Sequence, residues 1–344
     1  MLSLSFSSAF AQSKDAPLTS QELVKLLYQI PKQPEKKEET IEAIRRRGIG
    51  FPLTDGMRSL VASKSGNDQV LRRTLEEAER RRANPVAAAL PSTTEAQELL
   101  EKTRAATLVA KEAMPDFVVK QLITRAYSYG NVKNWITSDR LTVAVSYRAS
   151  AAEEYKLLAV NGMPPGKEIK EGQNYSEQVG GATSTGEYVS RLALLFDESN
   201  ETAFTDTNTD TLRGRRTIVY NYQVRQETSR WQIVEASKTV IVGYHGRVWV
   251  DRELNRVLRL EMLAEMPADF PIIAVTSITD YDWVTIADQK YLLPSQSESL
   301  SVFRRGEQSF QSRNVTRFRG YQKYGTDVKI IEEDIIEDLP EEKP

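Results

Sequence analysis

Few side chains of this sequence have the types and spacing that acid–base, nucleophilic or metal chemistry requires. The chain of 344 residues has one histidine, His245, and no cysteine, which excludes thiol catalysis, disulfide frameworks and metal sites built from several histidines. His245 lies in a predicted strand, and the sequence places no partner base or nucleophile beside it, so a structural role is favoured. Asp280 and Asp282 share one face of another predicted strand, again without a placed partner. We therefore predict no catalytic residue, and we expect the protein not to be an enzyme.

Two further segments resemble ligand-binding loops only in part. Residues 206–210 read DTNTD and begin like a calcium loop, but Thr211 takes the sixth position, where an EF-hand has glycine, and Thr217 takes the twelfth, where it has glutamate. An edge strand or a polar loop fits this segment better. Three glycines precede a predicted helix, at Gly180, Gly181 and Gly186. No Lys-Ser/Thr pair of a phosphate-binding loop follows them, so we interpret them as a flexible entry to that helix, and we predict no metal and no cofactor.

The charge balance argues against nucleic acid as a partner. Lys and Arg total 46 against 48 Asp and Glu, which gives a formal net charge of −2. Arginine triplets at 45–47 and 80–82 end predicted helices, where basic residues suit the helix dipole and the solvent. Contact of these triplets with acidic lipid or nucleic acid is the less favoured alternative. No apolar run approaches the roughly 18 residues of a membrane span, so we expect no transmembrane segment.

Ten apolar or aromatic residues form the candidate binding site. Alternation along three consecutive predicted strands places eight of them on one sheet face, namely Tyr220, Tyr222, Val240, Val242, Tyr244, Leu258, Leu260 and Met262. Leu192 and Phe196 lie on one face of a predicted helix. These residues either form an ordinary core beneath the helices or line a hydrophobic cavity that a strongly curved sheet leaves open. The sequence leaves both interpretations open.

The elements that would position these residues fall into two parts. The first part, residues 17–84, is predicted to form a small helical module. Thr19 and Glu22 form a capping-box pattern ahead of apolar residues at helical spacing. Three further short helices are predicted near 41–48, 54–61 and 67–75. A linker of proline and alanine follows at 84–91 and leads to a longer helix, whose apolar stripe is predicted at Leu99, Leu100, Leu108 and Val109.

From residue 116 onward the pattern changes from helical to strand periodicity, with residues 238–251 predicted as a single strand. Short connections between many strands indicate an antiparallel meander. One helix interrupts it, with a capping-box pattern at Ser184 and Glu187. We predict an α+β fold in which residues 92–326 form a curved antiparallel sheet, an unclosed half-barrel covered by two helices, after an N-terminal all-α module.

The two ends of the sequence bear on localisation. Residues 1–11, MLSLSFSSAFA, resemble the second half of a signal peptide, with Ala9-Phe10-Ala11 as an A-x-A cleavage site. We expect a periplasmic or secreted protein, with a tail of an intracellular protein as the alternative. Residues 327–344 carry eight acidic side chains and predict a solvated acidic tail.

Eight segments carry a resemblance to a known family. They read LRGRR, SRW, YHGRVWVD, RVLRL, PADFPI, YDWVTI, YLLP and FRGY, at residues 212–216, 229–231, 244–251, 256–260, 267–272, 281–286, 291–294 and 318–321. Over residues 99–324 the chain resembles an uncharacterised family of exported bacterial proteins, and its order of elements is more distantly similar to the lipoprotein-carrier fold of the Lol and RseB type. That resemblance implies an unclosed antiparallel barrel with a hydrophobic cavity for acyl chains and no active site. Residues 42–79 resemble a small helical module that accompanies other domains in such bacteria.

The leading hypothesis from the sequence is non-catalytic binding of a lipid or an acylated protein in the half-barrel cavity. The alternative is a cell-envelope interaction or sensor module, whose half-barrel is filled by side chains and whose helical module binds an envelope protein. A packed interior beneath the helix predicted at 184–197 favours the alternative, and a tunnel that reaches solvent favours a carrier.

Overall fold

The structure is a computed structural model, and it describes residues 16–33, 35–86, 88–130, 134–149, 151, 153–165, 179–181, 183, 189–235, 238–305 and 308–325. The predicted signal-peptide remnant 1–11, the predicted tail 327–344 and the capping pair Ser184 and Glu187 lie outside the described residues. The chain divides into two compact units, with the boundary between Ala89 and Leu90.

The described part of the first unit contains four α-helices around one apolar core. They are α1 (Ser20–Gln29), α2 (Lys36–Arg47), α3 (Asp55–Lys64) and α4 (Gln69–Ala83). The predicted capping box is present, because the hydroxyl of Thr19 accepts the backbone N–H of Glu22 and the Glu22 carboxylate accepts the backbone N–H of Thr19 at 2.9 Å. That backbone hydrogen bond, together with one from Arg47, lowers the pKa of Glu22 to about 2. Helix α1 is thereby fixed at its N-terminus and tied to the end of α2.

The second unit begins with α5 (Thr93–Glu112) and continues as a long antiparallel sheet. Its described strands are β1 (Phe117–Tyr129), β2 (Ile136–Tyr147), β3 (Glu154–Val160), β4 (Ala203–Leu212), β5 (Arg215–Val224), β6 (Gln232–Glu235), β7 (Lys238–Ile241), β8 (Tyr244–Asp251), β9 (Val257–Ala264), β10 (Ile272–Ile286), β11 (Gln289–Arg305) and β12 (Gln308–Lys323). Helix α6 (Val189–Phe196) and a short 3-10 helix (Glu198–Asn200) come between β3 and β4. None of the described helices is long and apolar enough to cross a membrane.

Ten of the described strands form one curved, unclosed sheet in the order β3-β2-β1-β12-β11-β10-β9-β8-β5-β4. Every neighbouring pair in it is antiparallel. This confirms the predicted α+β half-barrel with an N-terminal helical region. Strand β4 contains residues 206–210 and lies at one edge of the sheet, so the segment that begins like a calcium loop is an edge strand.

The prediction of a single strand over 238–251 is wrong, since the chain leaves the strand conformation at Val242 and Gly243. A Cβ at Gly243 would lie 2.8 Å from a carboxylate oxygen of Glu265, 3.1 Å from the backbone nitrogen of Gln226 and 3.3 Å from the carbonyl of Val224, so a larger residue would require these neighbours to shift. Strand β7 pairs with β6 in a separate two-stranded ribbon, whereas β8 belongs to the large sheet.

We call the side of the sheet that packs against α5 and α6 the helix face, defined by Tyr220, Val248 and Leu260. One apolar cluster on this face joins β5, β8 and β9 to the two helices. A second cluster covers β1, β2 and β3 at the other end of the sheet. The opposite side, which we call the outer face, carries Trp249 with Val219 and Leu258.

Candidate functional site

An apolar groove of about 240 Å³ opens beneath the C-terminal half of α5. Four elements of the second unit form it, namely α5, α6, the start of β9 and the hairpin of β10 and β11. Its lining residues are Thr107, Val109, Ala110, Ala113, Met114, Leu192, Arg256, Val257, Trp283, Lys290, Tyr291 and Leu292. The groove is open to solvent along one side, so a ligand could enter it without unfolding of the core.

The position of α5 determines the upper wall of the groove. This helix buries Leu99, Thr103 and Thr107, which recur every four residues and face the sheet. Val109 lies two residues, and therefore about 200° around the helix, from Thr107. Its side chain is 64% exposed at the groove rim. The prediction that Val109 belongs to the buried stripe is therefore wrong, because threonines occupy the sheet-facing positions.

The hairpin of β10 and β11 forms the floor. Trp283 pairs with Leu292 and Thr285 pairs with Lys290, so these four side chains share one face. Ala287 and Asp288 close the hairpin with φ of 47° and 67°, as a two-residue turn of the I′ type requires. The Trp283 side chain is 41% exposed, which is unusual for so large an apolar group.

Two cations border the groove, Arg256 ahead of β9 and Lys290 in β11. Among the described residues neither forms a salt bridge, and the lining includes no carboxylate. Arg259, three residues after Arg256, instead pairs with Asp280 at 2.8 Å. The groove lining therefore carries two cations and no carboxylate, in a chain whose formal net charge is −2.

Seven of the ten predicted cavity residues form one packed core. They are Leu192, Phe196, Tyr220, Tyr222, Tyr244, Leu260 and Met262. Phe196 of α6 is 1% exposed and stacks on Phe204 with ring centroids 5.7 Å apart. The Tyr220 hydroxyl donates to the backbone carbonyl of Ala96 in α5 at 2.7 Å, and burial raises the pKa of the Tyr222 hydroxyl well above its usual value. Of the ten, only Leu192 is among the described groove-lining residues.

The structure places the other three predicted residues elsewhere. Leu258 lies on the outer face with Trp249, because β9 has a bulge there: Trp249 pairs with Arg259 and Val250 pairs with Val257, so Leu258 is the extra residue. Val257 takes its place on the helix face. Val240 and Val242 pack in a smaller cluster around the β6–β7 ribbon, since the predicted strand breaks after them.

The helix face becomes polar in its middle, a feature that the sequence analysis missed. Through the register of β9 to β12, Leu260 is followed across the sheet by Thr279, Ser297 and Thr316. Met262 is followed in the same way by Ser277, Ser299 and Asn314. The alternating serines and threonines at 277, 279, 297 and 299 were the available signal. This polar stripe separates the two apolar clusters, so the apolar face is not continuous along the whole half-barrel.

The polar stripe ends at a buried ion pair. Arg125 pairs with Asn314 on β12 and with Asp139 on β2, and its guanidinium contacts the Asp139 carboxylate at 2.6 Å through Nε. The same guanidinium donates to the carbonyls of Val179, at 3.2 Å, and Gly180. Two of the glycines interpreted as a flexible entry thus lie beside Arg125: Gly180 accepts its hydrogen bond, and a Cβ added at Gly181 would lie 3.3 Å from its Nη1. Gly186 lies outside the described residues.

The residues considered for acid–base or metal chemistry remain apart. His245 is exposed on the outer face, with Nδ1 3.3 Å from Oε1 of Glu265. Asp280 forms its ion pair with Arg259, and the exposed Asp282 accepts the backbone N–H of Trp283 at 2.8 Å. No group of three metal-ligating side chains occurs in the described part of the chain.

The arginine triplets contribute to the structure of the helical module. Arg45 pairs with Glu42 at 2.8 Å, Arg47 pairs with Glu22 at 2.9 Å, and Arg82 pairs with Glu79 at 2.8 Å. Three of the six arginines in the triplets therefore have carboxylate partners within the helical module, and their positions need no ligand as an explanation.

The solved structures that are similar to this chain include the following two. A candidate outer membrane lipoprotein-sorting protein domain from Vibrio parahaemolyticus is 10% identical and aligns over 69% of this chain and 95% of its own, with a TM-score of 0.29. A DUF1329 family protein from Desulfovibrio piger is 10% identical and aligns over 70% and 96%, also with a TM-score of 0.29. At these identities and TM-scores, neither likeness carries information about what this chain binds. No family model matches the chain, and no curated protein matches it.

Proposed function

We propose that this protein binds a lipid, or the acyl chain of a lipidated protein, without catalysis, and that the groove beneath α5 is the binding site. The observation that supports this most directly is an open groove lined by Leu192, Val257, Leu292 and a half-exposed tryptophan, Trp283. Exposed aromatic and aliphatic surface in a concave site is typical of a ligand-binding site rather than of a packed hydrophobic core.

The size of the groove limits the ligand. Its volume of about 240 Å³ is slightly below the 300–1,000 Å³ of common ligand pockets. Each buried methylene contributes about 0.8 kcal/mol. Burial of a chain segment of about eight methylenes would therefore contribute roughly 6 kcal/mol to binding, before the entropic cost of association. The groove therefore suits a segment of one acyl chain, held at moderate affinity.

The second candidate function is the cell-envelope interaction or sensor module. The packed core beneath α6 favours it, because Phe196, Tyr220 and Tyr222 fill with side chains the space in which the sequence analysis placed a cavity. In this case the helical module would bind an envelope protein, and the groove would stay empty.

Periplasmic or secreted localisation belongs to both candidate functions. Amino-terminal sequencing of the exported protein tests the cleavage expected after Ala11.

Native mass spectrometry of the protein purified from cells without detergent tests lipid binding. A mass excess that dissociates on activation, and whose fragments are lipids, is the expected result. In Ala110→Trp the indole would project into the groove, and we expect the bound lipid to be lost. Ala105→Trp is the matched control, since Ala105 is exposed on the same helix and does not line the groove. Absence of lipid in the unmodified protein, or equal retention by both variants, would contradict the proposal.

A further inference from the structure

We propose that the groove selects amphiphiles that carry a single alkyl chain and an anionic headgroup, and that Arg256 and Lys290 recognise the headgroup. This inference rests on the proposed lipid-binding function and specifies its ligand. Carboxylate and phosphate headgroups share the chemistry that two cations lining one groove recognise, and the experiment below distinguishes them.

The first argument comes from charge. Elsewhere in the second unit, arginines that border apolar surface have carboxylate partners: Arg259 with Asp280 at 2.8 Å and Arg252 with Glu95 at 2.5 Å. Among the described residues, the Arg256 side chain donates one hydrogen bond, from Nη1 to the carbonyl of Asn255 at 3.2 Å, and the Lys290 ammonium makes no side-chain hydrogen bond or salt bridge. Two cations without an acidic partner at one apolar groove would have a favourable interaction with an anion that the groove brings to them.

The second argument comes from position. Lys290 is exposed and Arg256 is half-buried, whereas Leu192 and Val257 are buried at the inner end of the groove. An alkyl chain that contacts Leu192 and Val257 would therefore leave its headgroup near the charged rim and in contact with water. Long basic side chains suit this boundary, because their methylenes cover apolar surface while their charges remain hydrated.

The third argument comes from volume. A diacyl or triacyl lipid would need several times the methylene volume that about 240 Å³ provides. A segment of a single chain fits. A ligand with one alkyl chain and one anionic group therefore matches both the volume and the two cations.

Isothermal titration of the full chain with four single-chain probes tests the inference, each kept below its critical micelle concentration. The probes are dodecanoate, dodecyl phosphate, dodecanol and dodecyltrimethylammonium. We expect both anions to bind at least tenfold more tightly than dodecanol, the cationic probe to bind most weakly, and the preference to fall with added salt. Tight binding of dodecanoate alone would indicate a fatty-acid ligand, tight binding of dodecyl phosphate alone would indicate a lysophospholipid-like ligand, and either result supports the class.

Variants connect the preference to the two cations. In Arg256→Gln combined with Lys290→Gln, the anions should bind no more tightly than dodecanol, while dodecanol binding itself is unchanged. Arg317→Gln is the matched control, because Arg317 is exposed on β12 and does not line the groove. Equal binding of dodecanol and dodecanoate by the unmodified protein would overturn this inference and leave lipid binding intact. A preference that persists in the double variant would also overturn it, and failure of all four probes to bind would overturn the proposed function itself.

Discussion

Replacement of Phe196 by alanine separates the packed core from the groove. Phe196 is 1% exposed and stacks on Phe204, beneath α6. Leu192 and Val257 belong both to this core and to the groove lining, whereas Phe196, one helical turn after Leu192 on α6, does not line the groove. We therefore expect Phe196→Ala to lower the stability of the second unit and to leave ligand affinity per folded molecule unchanged.

The magnitude follows from burial. A buried aromatic side chain removes about 150–250 Å² from water. At about 25 cal/mol per Å² this corresponds to roughly 4–6 kcal/mol, of which alanine retains a small part. Phe→Ala changes in cores cost about 3–5 kcal/mol once the remaining cavity is included. Since a folded unit has a free energy of unfolding of roughly 5–15 kcal/mol, the variant should still fold near 25 °C.

Urea denaturation followed by tryptophan fluorescence measures this loss in the second unit alone, since all four tryptophans, at 135, 231, 249 and 283, follow residue 90. Trp283→Ala is the reciprocal variant: Trp283 is 41% exposed, so its loss should cost less stability than Phe196→Ala and should weaken ligand binding. The reasoning would be refuted if Phe196→Ala cost less than about 1 kcal/mol, or if it abolished binding in protein that is fully folded.

Three further changes test the packing and electrostatics of both units. Glu261→Gln leaves the buried guanidinium of Arg247 without its carboxylate and should lower the free energy of unfolding by about 3–5 kcal/mol. Arg247→Met combined with Glu261→Leu should lower it much less. Equal losses in urea denaturation would contradict this. Gly246→Ala would place a Cβ 1.9 Å from the carbonyl oxygen of Glu261, so we expect a large drop in Tm and in soluble yield, and an unchanged Tm would be inconsistent with the close strand approach. Because the backbone N–H of Thr19 and the guanidinium of Arg47 lower the pKa of Glu22 from 4.5 to about 2, the stabilisation that Glu22 gives is complete above pH 4.5 and is lost as the pH falls toward 2. The protection factors of the α1 amides, which correct for the intrinsic pH dependence of exchange, should therefore fall as the pH falls over that range in the unmodified protein and change less in Glu22→Gln.

The features that local sequence determines could be predicted. The capping box at Thr19 depends on two side chains three residues apart, and the structure shows both of its hydrogen bonds. Alternation along β5 predicts correctly that Tyr220 and Tyr222 share the face on which the helices pack. The half-barrel follows from many strands with short connections, because such connections permit antiparallel pairing only.

The features that depend on pairing between strands could not be predicted from the sequence. The bulge at Leu258 arises from the register of β9 against β8, and nothing in the local alternation of Leu258, Leu260 and Met262 reveals it. Val109 matches an apolar stripe as well as Leu99 does, but the sheet packs against the threonine face of α5 instead. A prediction based on apolar residues therefore identified the core, and the open groove lies where polar and apolar residues of four elements meet.

The position of the groove has a cause in the lengths of the strands. Strand β9 begins at Val257, and its pairing with β10 reaches no further than Arg259 and Asp280. From Tyr281 onward β10 pairs with β11 alone, so this hairpin extends past the end of its neighbour on one side. Helix α5 lines the groove beside this overhang, and none of the described strands fills the space, which leaves a groove bordered by Arg256 and Lys290. The same length mismatch that opens an apolar surface also places Arg256, ahead of β9, and Lys290, near the start of β11, at one groove. A sheet with strands of equal length would have neither the groove nor its charged border.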